Sequence, residues 1–388
     1  MNRRSLLASV LTVTLLTSIA HAAENDKKLG FVFTYLWYDL YQGDDACKEP
    51  AIGAAEYARP KLPKSERSGP MAGDLLEKLR NYSLKGHTGH DTNTQGILPP
   101  AEQRKNVVWI PGNIDMCYHP ADYDDPPHRV VTGPTAFGMH LDAPKSCAQP
   151  TFTSPSGEKG INNQFYRVIG CISSYRHDGA YRALYSDEIQ DRDRKEGRNT
   201  TLLEITGVDD PRNDDDVQVG IYSSSNPTQY DSAAKGLAWV SYTAGKEARW
   251  RNVLKGRIKD GILTTTPADI RIHKVHNHSA GEAAEWYIRD ARLRLEIRPD
   301  GSAAGELAGY FDLESLYDVE FRGYHGAVMQ SYYGYSCPAV YASMKQLADG
   351  HPDPATGRCT ALSGALEVEA VRAFVFQPDS KPQQTARK

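Results

Sequence analysis

Seven consecutive residues, Arg292-Leu293-Arg294-Leu295-Glu296-Ile297-Arg298, alternate charged and apolar without a break. Side chains along a strand point to opposite faces in turn, so a run of this kind buries its leucines only as a strand with one wet face. Pro299-Asp300-Gly301-Ser302 then supplies turn residues, and AAGELAGYF reads as the returning strand. Further strands are expected at Gly30–Leu36, Asn106–Ile110, Leu202–Thr206, Val217–Tyr222, Gly236–Thr243 and Ala365–Phe376. Helical periodicity is sparse. It marks Asp74–Tyr82 and Ala339–Ala348, the second opening after Pro338 and stopping at Gly350. The expected class is mainly β: an antiparallel β-sandwich-like or other β-rich architecture, with a few short helices and long disulfide-tethered loops.

The loops need tethering because the first half is rich in Pro, Gly, Asp and Asn and thin in regular pattern. All six cysteines (47, 117, 147, 171, 337 and 359) lie after a leader-like start, MNRRSLLASVLTVTLLTSIAHAAEND. Arg3 and Arg4, an apolar stretch from Leu6 to Ile19 and the small-x-small Ala20-His21-Ala22 read as a secretory signal peptide over residues 1–22. The Arg3-Arg4 pair also allows twin-arginine export. An even cysteine number in an exported chain reads as disulfides, here up to three. Cys337 and Cys359 bracket the second helix and a turn, and they are expected to pair with each other.

The charged run Asp187–Arg198 is the natural place for a boundary. It separates a loop-rich N-terminal domain or half, residues 29–186, from an antiparallel β-rich domain or half, residues 200–376, with a disordered tail at 377–388. One continuous domain with a charged surface loop is the alternative.

The whole chain carries 45 basic and 49 acidic residues, and the leader holds two of the basic ones. That mildly acidic balance offers no field for nucleic acid. No later stretch of 18 apolar residues occurs, so no transmembrane span is expected in the mature chain.

Four clusters hold side chains that do chemistry. In Cys117-Tyr118-His119-Pro120-Ala121-Asp122-Tyr123-Asp124-Asp125-Pro126-Pro127-His128, prolines forbid helix and stiffen a loop. His119, Asp122 and His128 there are candidate ligands for a divalent metal (Zn, Mn, Cu or Ca). In IHKVHNH, His276 and His278 would face one side of a strand and form a second metal candidate. Asp209, Asp210 and Asp214–Asp216 read as an acidic hairpin loop, without EF-hand spacing. Finally, tyrosines crowd around Cys337. Trp239, Trp286, Tyr332, Tyr333 and Tyr335 are the candidate ligand-contact residues, since aromatic rings with polar neighbours hold ringed and sugar ligands. No nucleophile elbow, zincin motif or phosphate-binding glycine loop occurs.

The expected function is an exported, soluble, disulfide-stapled β-rich protein that binds a ligand or partner in the periplasm or outside the cell. The partner would be a small molecule, a glycan or an envelope protein. Two alternatives stand beside it: a metal-dependent hydrolase using a His/Asp cluster, and a non-catalytic structural or assembly protein of the envelope.

Overall fold

A computed structural model describes residues 28–43, 45–47, 114–123, 128–172, 174–176, 190–274, 284–322 and 335–378. The strands are β1 (Lys28–Tyr38), β2 (Phe152–Thr153), β3 (Lys159–Ile161), β4 (Thr200–Thr206), β5 (Asp214–Ser224), β6 (Val240–Thr243), β7 (Arg251–Lys259), β8 (Ile262–Thr265), β9 (Ala268–Lys274), β10 (Ala284–Ile297), β11 (Ser302–Asp312), β12 (Gly350–Pro352) and β13 (Cys359–Phe376). The helices are α1 (Ile114–Tyr118), α2 (Gln164–Ile169), α3 (Gln190–Lys195), α4 (Leu313–Glu320) and α5 (Cys337–Leu347).

Eight strands pair in the order β1-β4-β5-β7-β8-β10-β11-β13, and β13 returns to β1. Every pairing around this ring is antiparallel. The architecture is therefore a closed barrel and not a sandwich, although its mainly β character matches the sequence reading. Closure satisfies the backbone groups that two open edges would leave unpaired. β8 and β9 lie along successive halves of the long β10, interrupted at Thr266-Pro267, where proline has no N–H to give the ladder. The β7–β8 turn is Asp260-Gly261, both at positive φ (53° and 83°), the geometry of a two-residue hairpin.

Alternate side chains fill the barrel. Phe31, Phe33, Leu203, Val219, Leu295, Leu307 and Val368 are all fully buried in one continuous cluster. The other face is covered only in patches. Met139 and Leu141 pack on Ala308 and Tyr310, and β6 adds parallel to the end of β13 beside Val32 and Leu202. α5 begins where the sequence indicates: Ser336 accepts a hydrogen bond from the Ala339 N–H at 3.2 Å, and Pro338 sits in the first turn.

Three disulfides join the chain: Cys47–Cys171, Cys117–Cys337 and Cys147–Cys359. The expected Cys337–Cys359 pairing is corrected. Cys337 opens α5, and the 11 residues of that helix rise about 16 Å before the chain turns toward Cys359. A disulfide needs α-carbons within about 7 Å. Cys337 instead lies 5.0 Å from Cys117, and Cys359 lies 5.8 Å from Cys147. Both of these bonds cross the charged run 187–198, and β1 from the first half closes the barrel formed by strands of the second. The expected helix Asp74–Tyr82 and strand Asn106–Ile110 lie outside the described residues.

Candidate functional site

The site begins with an irregularity in β1. Its register against β13 slips between Phe33 and Tyr35. Before the slip, Phe31 and Phe33 point into the barrel; after it, Leu36 and Tyr38 do. Tyr35 and Trp37 are thereby turned to the other side, which is what a bulge does to the side chains beyond it. The displaced Thr34 carbonyl accepts a hydrogen bond from the Tyr230 hydroxyl at 3.3 Å.

Register then sets the neighbours. Trp37 lies opposite Glu367 of β13, and Glu367 lies opposite Glu306 of β11. One row along, Tyr35, Glu369 and Ala304 are adjacent in the same way. Like charges directly opposite across a ladder are unfavourable, so the Glu306–Glu367 pair stands out. Asp39, just past the end of β1, adds a third carboxyl. Its backbone N–H donates to the Ala365 carbonyl at 2.9 Å, which fixes it against β13.

These residues line a cavity of about 300 Å³ walled by Tyr35, Trp37, Phe137 and Tyr175. Asp39 is 9 % exposed. Burial, then the charges of Glu306 and Glu367, then a hydrogen bond to Glu306 push its carboxyl up to about 8. Glu306 also accepts from Arg294 of β10 at 2.7 Å, the cation nearest to it among the described ion pairs.

Behind the groove wall lies a second polar group, inside the barrel. Glu320, the last residue of α4, is fully buried and accepts hydrogen bonds from the hydroxyls of Tyr38 and Tyr175, each at 2.9 Å. Lys274, at the end of β9, is 2 % exposed. Its ammonium lies 3.8 Å from the Trp286 ring centre and donates to Gln190 at 3.2 Å. Burial, aided by Arg194, pulls this lysine down to about 7, against the opposing pull of Glu320 and Asp193. Tyr175 links the two sites, because its ring also stacks on Trp37 with centroids 6.1 Å apart and planes within 9°. Lys274 and Glu320 are enclosed by packed rings, whereas at the Asp39 cavity Tyr35 and Phe137 are half-buried and Glu367 is exposed.

A larger cavity, about 1040 Å³, sits elsewhere, beside the Cys147–Cys359 disulfide. Two ion pairs stand at its lining: Arg289 with Asp312 at 2.6 Å, and His351 with Asp290 at 3.2 Å. Size alone does not make it the site.

The residues singled out in the sequence are dispersed. His128 is hydrogen-bonded to the Val168 carbonyl at 2.8 Å, and burial lowers its affinity for a proton. His119 and Asp122 flank a single turn of 3-10 helix, where the Asp122 N–H donates to the His119 carbonyl at 3.1 Å. Among the described residues, no three His, Cys, Asp or Glu side chains converge to hold a metal ion. His276, His278, Tyr332 and Tyr333 lie outside the described residues. Trp286 and Tyr335 were expected at a contact surface but are buried, at 0 % and 2 % exposure. Trp286 is enclosed by Lys274, Tyr38 and Phe311, and Tyr335 packs on Phe321. Trp239 is on the surface at 57 %, beside Phe374 at 5.8 Å. The acidic 209–216 segment is a hairpin end: Asp214 accepts from the N–H groups of Asp209 and Asp216 at 2.7 and 3.1 Å.

The sequence reading did not single out Asp39, Glu306 or Glu367. In AGELAGY and ALEVEAV the glutamates read as ordinary wet-face positions, and only cross-strand register sets them opposite. The available clue was Asp39, a lone carboxylate within YLWYDLY. Compared with protein-family models, curated proteins and solved structures, the chain matches none.

Proposed function

We propose that this is an exported protein that binds a small ligand through a cationic group, in the groove where Asp39, Glu306 and Glu367 meet. One observation carries the reading: the carboxyls of Asp39, Glu306 and Glu367 line a single aromatic-walled cavity of small-molecule size. An entering ammonium favours the ionised form of Asp39, whose carboxyl burial raises to about 8, and so displaces its proton near neutral pH. The rings of Tyr35, Trp37 and Phe137 take the apolar part of the ligand and add cation–π attraction.

The leader-like N-terminus and the three disulfides support export to an oxidising compartment, the periplasm or the exterior. A metal-dependent hydrolase draws no support from the described residues, because no set of donors converges there. The test is calorimetric titration with phenethylammonium, an ammonium carried on a ring, in buffers of different ionisation enthalpy. The expected result is binding with release of close to one proton at pH 7, weakened at least tenfold in Glu367→Gln. Binding of equal strength in Asp39→Asn and Glu367→Gln would place the amine elsewhere and refute the reading.

A further inference from the structure

β6 runs parallel to the end of β13, with Val240 opposite Ala373, Ser241 opposite Phe374, Tyr242 opposite Val375 and Thr243 opposite Phe376. Side chains alternate between the two faces of such a ribbon. One face is sealed: Ala373 and Tyr242 are buried, with Val240 and Val375 beside them, against Val32 of β1 and Leu202 of β4. On the other face Ser241, Thr243, Phe374 and Phe376 are exposed, the phenylalanines at 49 % and 36 %. Leu237 and Trp239, just before β6, are exposed as well. Four of the seven large hydrophobic side chains exposed among the described residues thus gather at this ribbon. Single exposed apolar residues mean little, whereas a contiguous patch marks a place of interaction. Two features give this patch a chemistry. Trp239 has φ of 64°, a left-handed conformation that a bulky residue keeps only where its surroundings impose it. Its N–H donates to the Arg372 carbonyl at 2.6 Å, and its ring lies 5.8 Å from that of Phe374. The Arg372 guanidinium, half-buried, lies over two rings, 5.1 Å from the centre of Phe31 and 5.2 Å from that of Trp239. Burial lowers its hold on a proton, and no carboxylate pairs with it among the described residues. An arginine stacked on rings keeps its fork of N–H groups for a planar anion, and partial exclusion of water strengthens that pairing.

We infer that this face binds an acidic saccharide, a chain of uronate sugars, with one carboxylate on Arg372 and sugar rings on Trp239 and Phe374. It is a second site, separate from the Asp39 groove and independent of it. Charge sets the sign of the ligand: one guanidinium matches one planar carboxylate through two parallel N–H···O bonds. Ser241 and Thr243 stand in the same rows as the phenylalanines, and their hydroxyls give and accept hydrogen bonds as sugar hydroxyls require and an acyl chain does not. Anchoring on an anionic membrane draws on clusters of about 4–8 Lys or Arg, whereas Arg372 is the one cation in these rows. Arg372 and Phe376 are four residues apart on β13, about 13 Å at roughly 3.3 Å per strand residue, so the face suits a chain of rings rather than a single one.

The mature chain with its disulfides intact would be titrated calorimetrically with tetragalacturonate and with its methyl ester, which has the same rings without the charge. Tetragalacturonate should bind, and esterification should weaken it at least tenfold. Trp239→Ala, at a surface position, should weaken acid and ester alike, and Arg372→Gln should bring the acid down to the level of the ester. Should Arg372→Gln fail to fold, the comparison of acid with ester in the wild type and the Trp239→Ala variant still decide the matter. Three results would overturn the inference. Equal binding of acid and ester would mean that no anion is read. Undiminished binding in Trp239→Ala would place the saccharide elsewhere. No binding of tetragalacturonate would remove the ligand, and sedimentation of the chain with phosphatidylglycerol vesicles, lost in Trp239→Ala, would then assign the face to a membrane surface.

Discussion

Replacing Asp39 by Asn removes a buried acid that the fold holds protonated near neutral pH, and the consequence for stability can be worked through. The unfolded carboxyl has its ordinary value near 3.8, and the folded one is raised to about 8. A raised acid means that the folded state binds more protons than the unfolded state across that window. Stability contributed by this group is therefore full below pH 4 and declines as pH rises toward 8. The rate is about 1.4 kcal/mol per pH unit, which puts the accumulated cost at pH 7 near 4 kcal/mol. Asn has the same shape and donates a hydrogen bond to Glu306 without titrating. Urea unfolding of wild type and Asp39→Asn, disulfides intact, would be followed from pH 4 to pH 8. The two should be similar in stability near pH 4, and the variant should be the more stable by several kcal/mol at pH 7.5. A difference between them that stays constant with pH would refute the raised Asp39 carboxyl.

Four further outcomes are expected. Lys274 is lowered to about 7 from an ordinary value near 10.5, so the folded state binds fewer protons between those limits and stability rises with pH there; Lys274→Met should abolish that rise in unfolding measured from pH 7 to pH 9. Glu320→Ala strips the acceptor from Tyr38 and Tyr175 and removes one of the two carboxylates near Lys274, so unfolding free energy should fall by about 3–5 kcal/mol, while a change under 1 kcal/mol would show that the buried group is solvated. Non-reducing peptide mapping should recover the 47–171, 117–337 and 147–359 cross-links, and a 337–359 peptide would contradict the fold. Cys47→Ser/Cys171→Ser opens a loop of 124 residues and should lower stability by about 5 kcal/mol in the chain-entropy model, read as a fall in Tm.

Much of the β framework was legible locally. The alternation at Arg292–Arg298, the Pro-Asp-Gly turn after it and the Pro338-led helix each follow from rules that act over a few residues. β7, β8 and β9 went unread, although Asp260-Gly261 carried a hairpin signal, because KGRIK and ADIRIHK are charged enough to pass for surface loop. His119, Asp122 and His128 are neighbours in sequence, but His128 is held by the Val168 carbonyl, and no three donors converge among the described residues.

What the sequence determined alone is the period-two pattern, the places where turns and helices start, the leader-like opening and the presence of six cysteines. These are local chemistry, and they suffice for a disulfide-bonded, mainly β chain. Tertiary structure alone decided closure and partnership. β1 and β13 are more than 300 residues apart, yet they seal the barrel, and a single bulge between Phe33 and Tyr35 turns Trp37 toward Glu367. Because a one-residue slip exchanges the two faces of a strand, no reading of either segment by itself could have brought Asp39, Glu306 and Glu367 together.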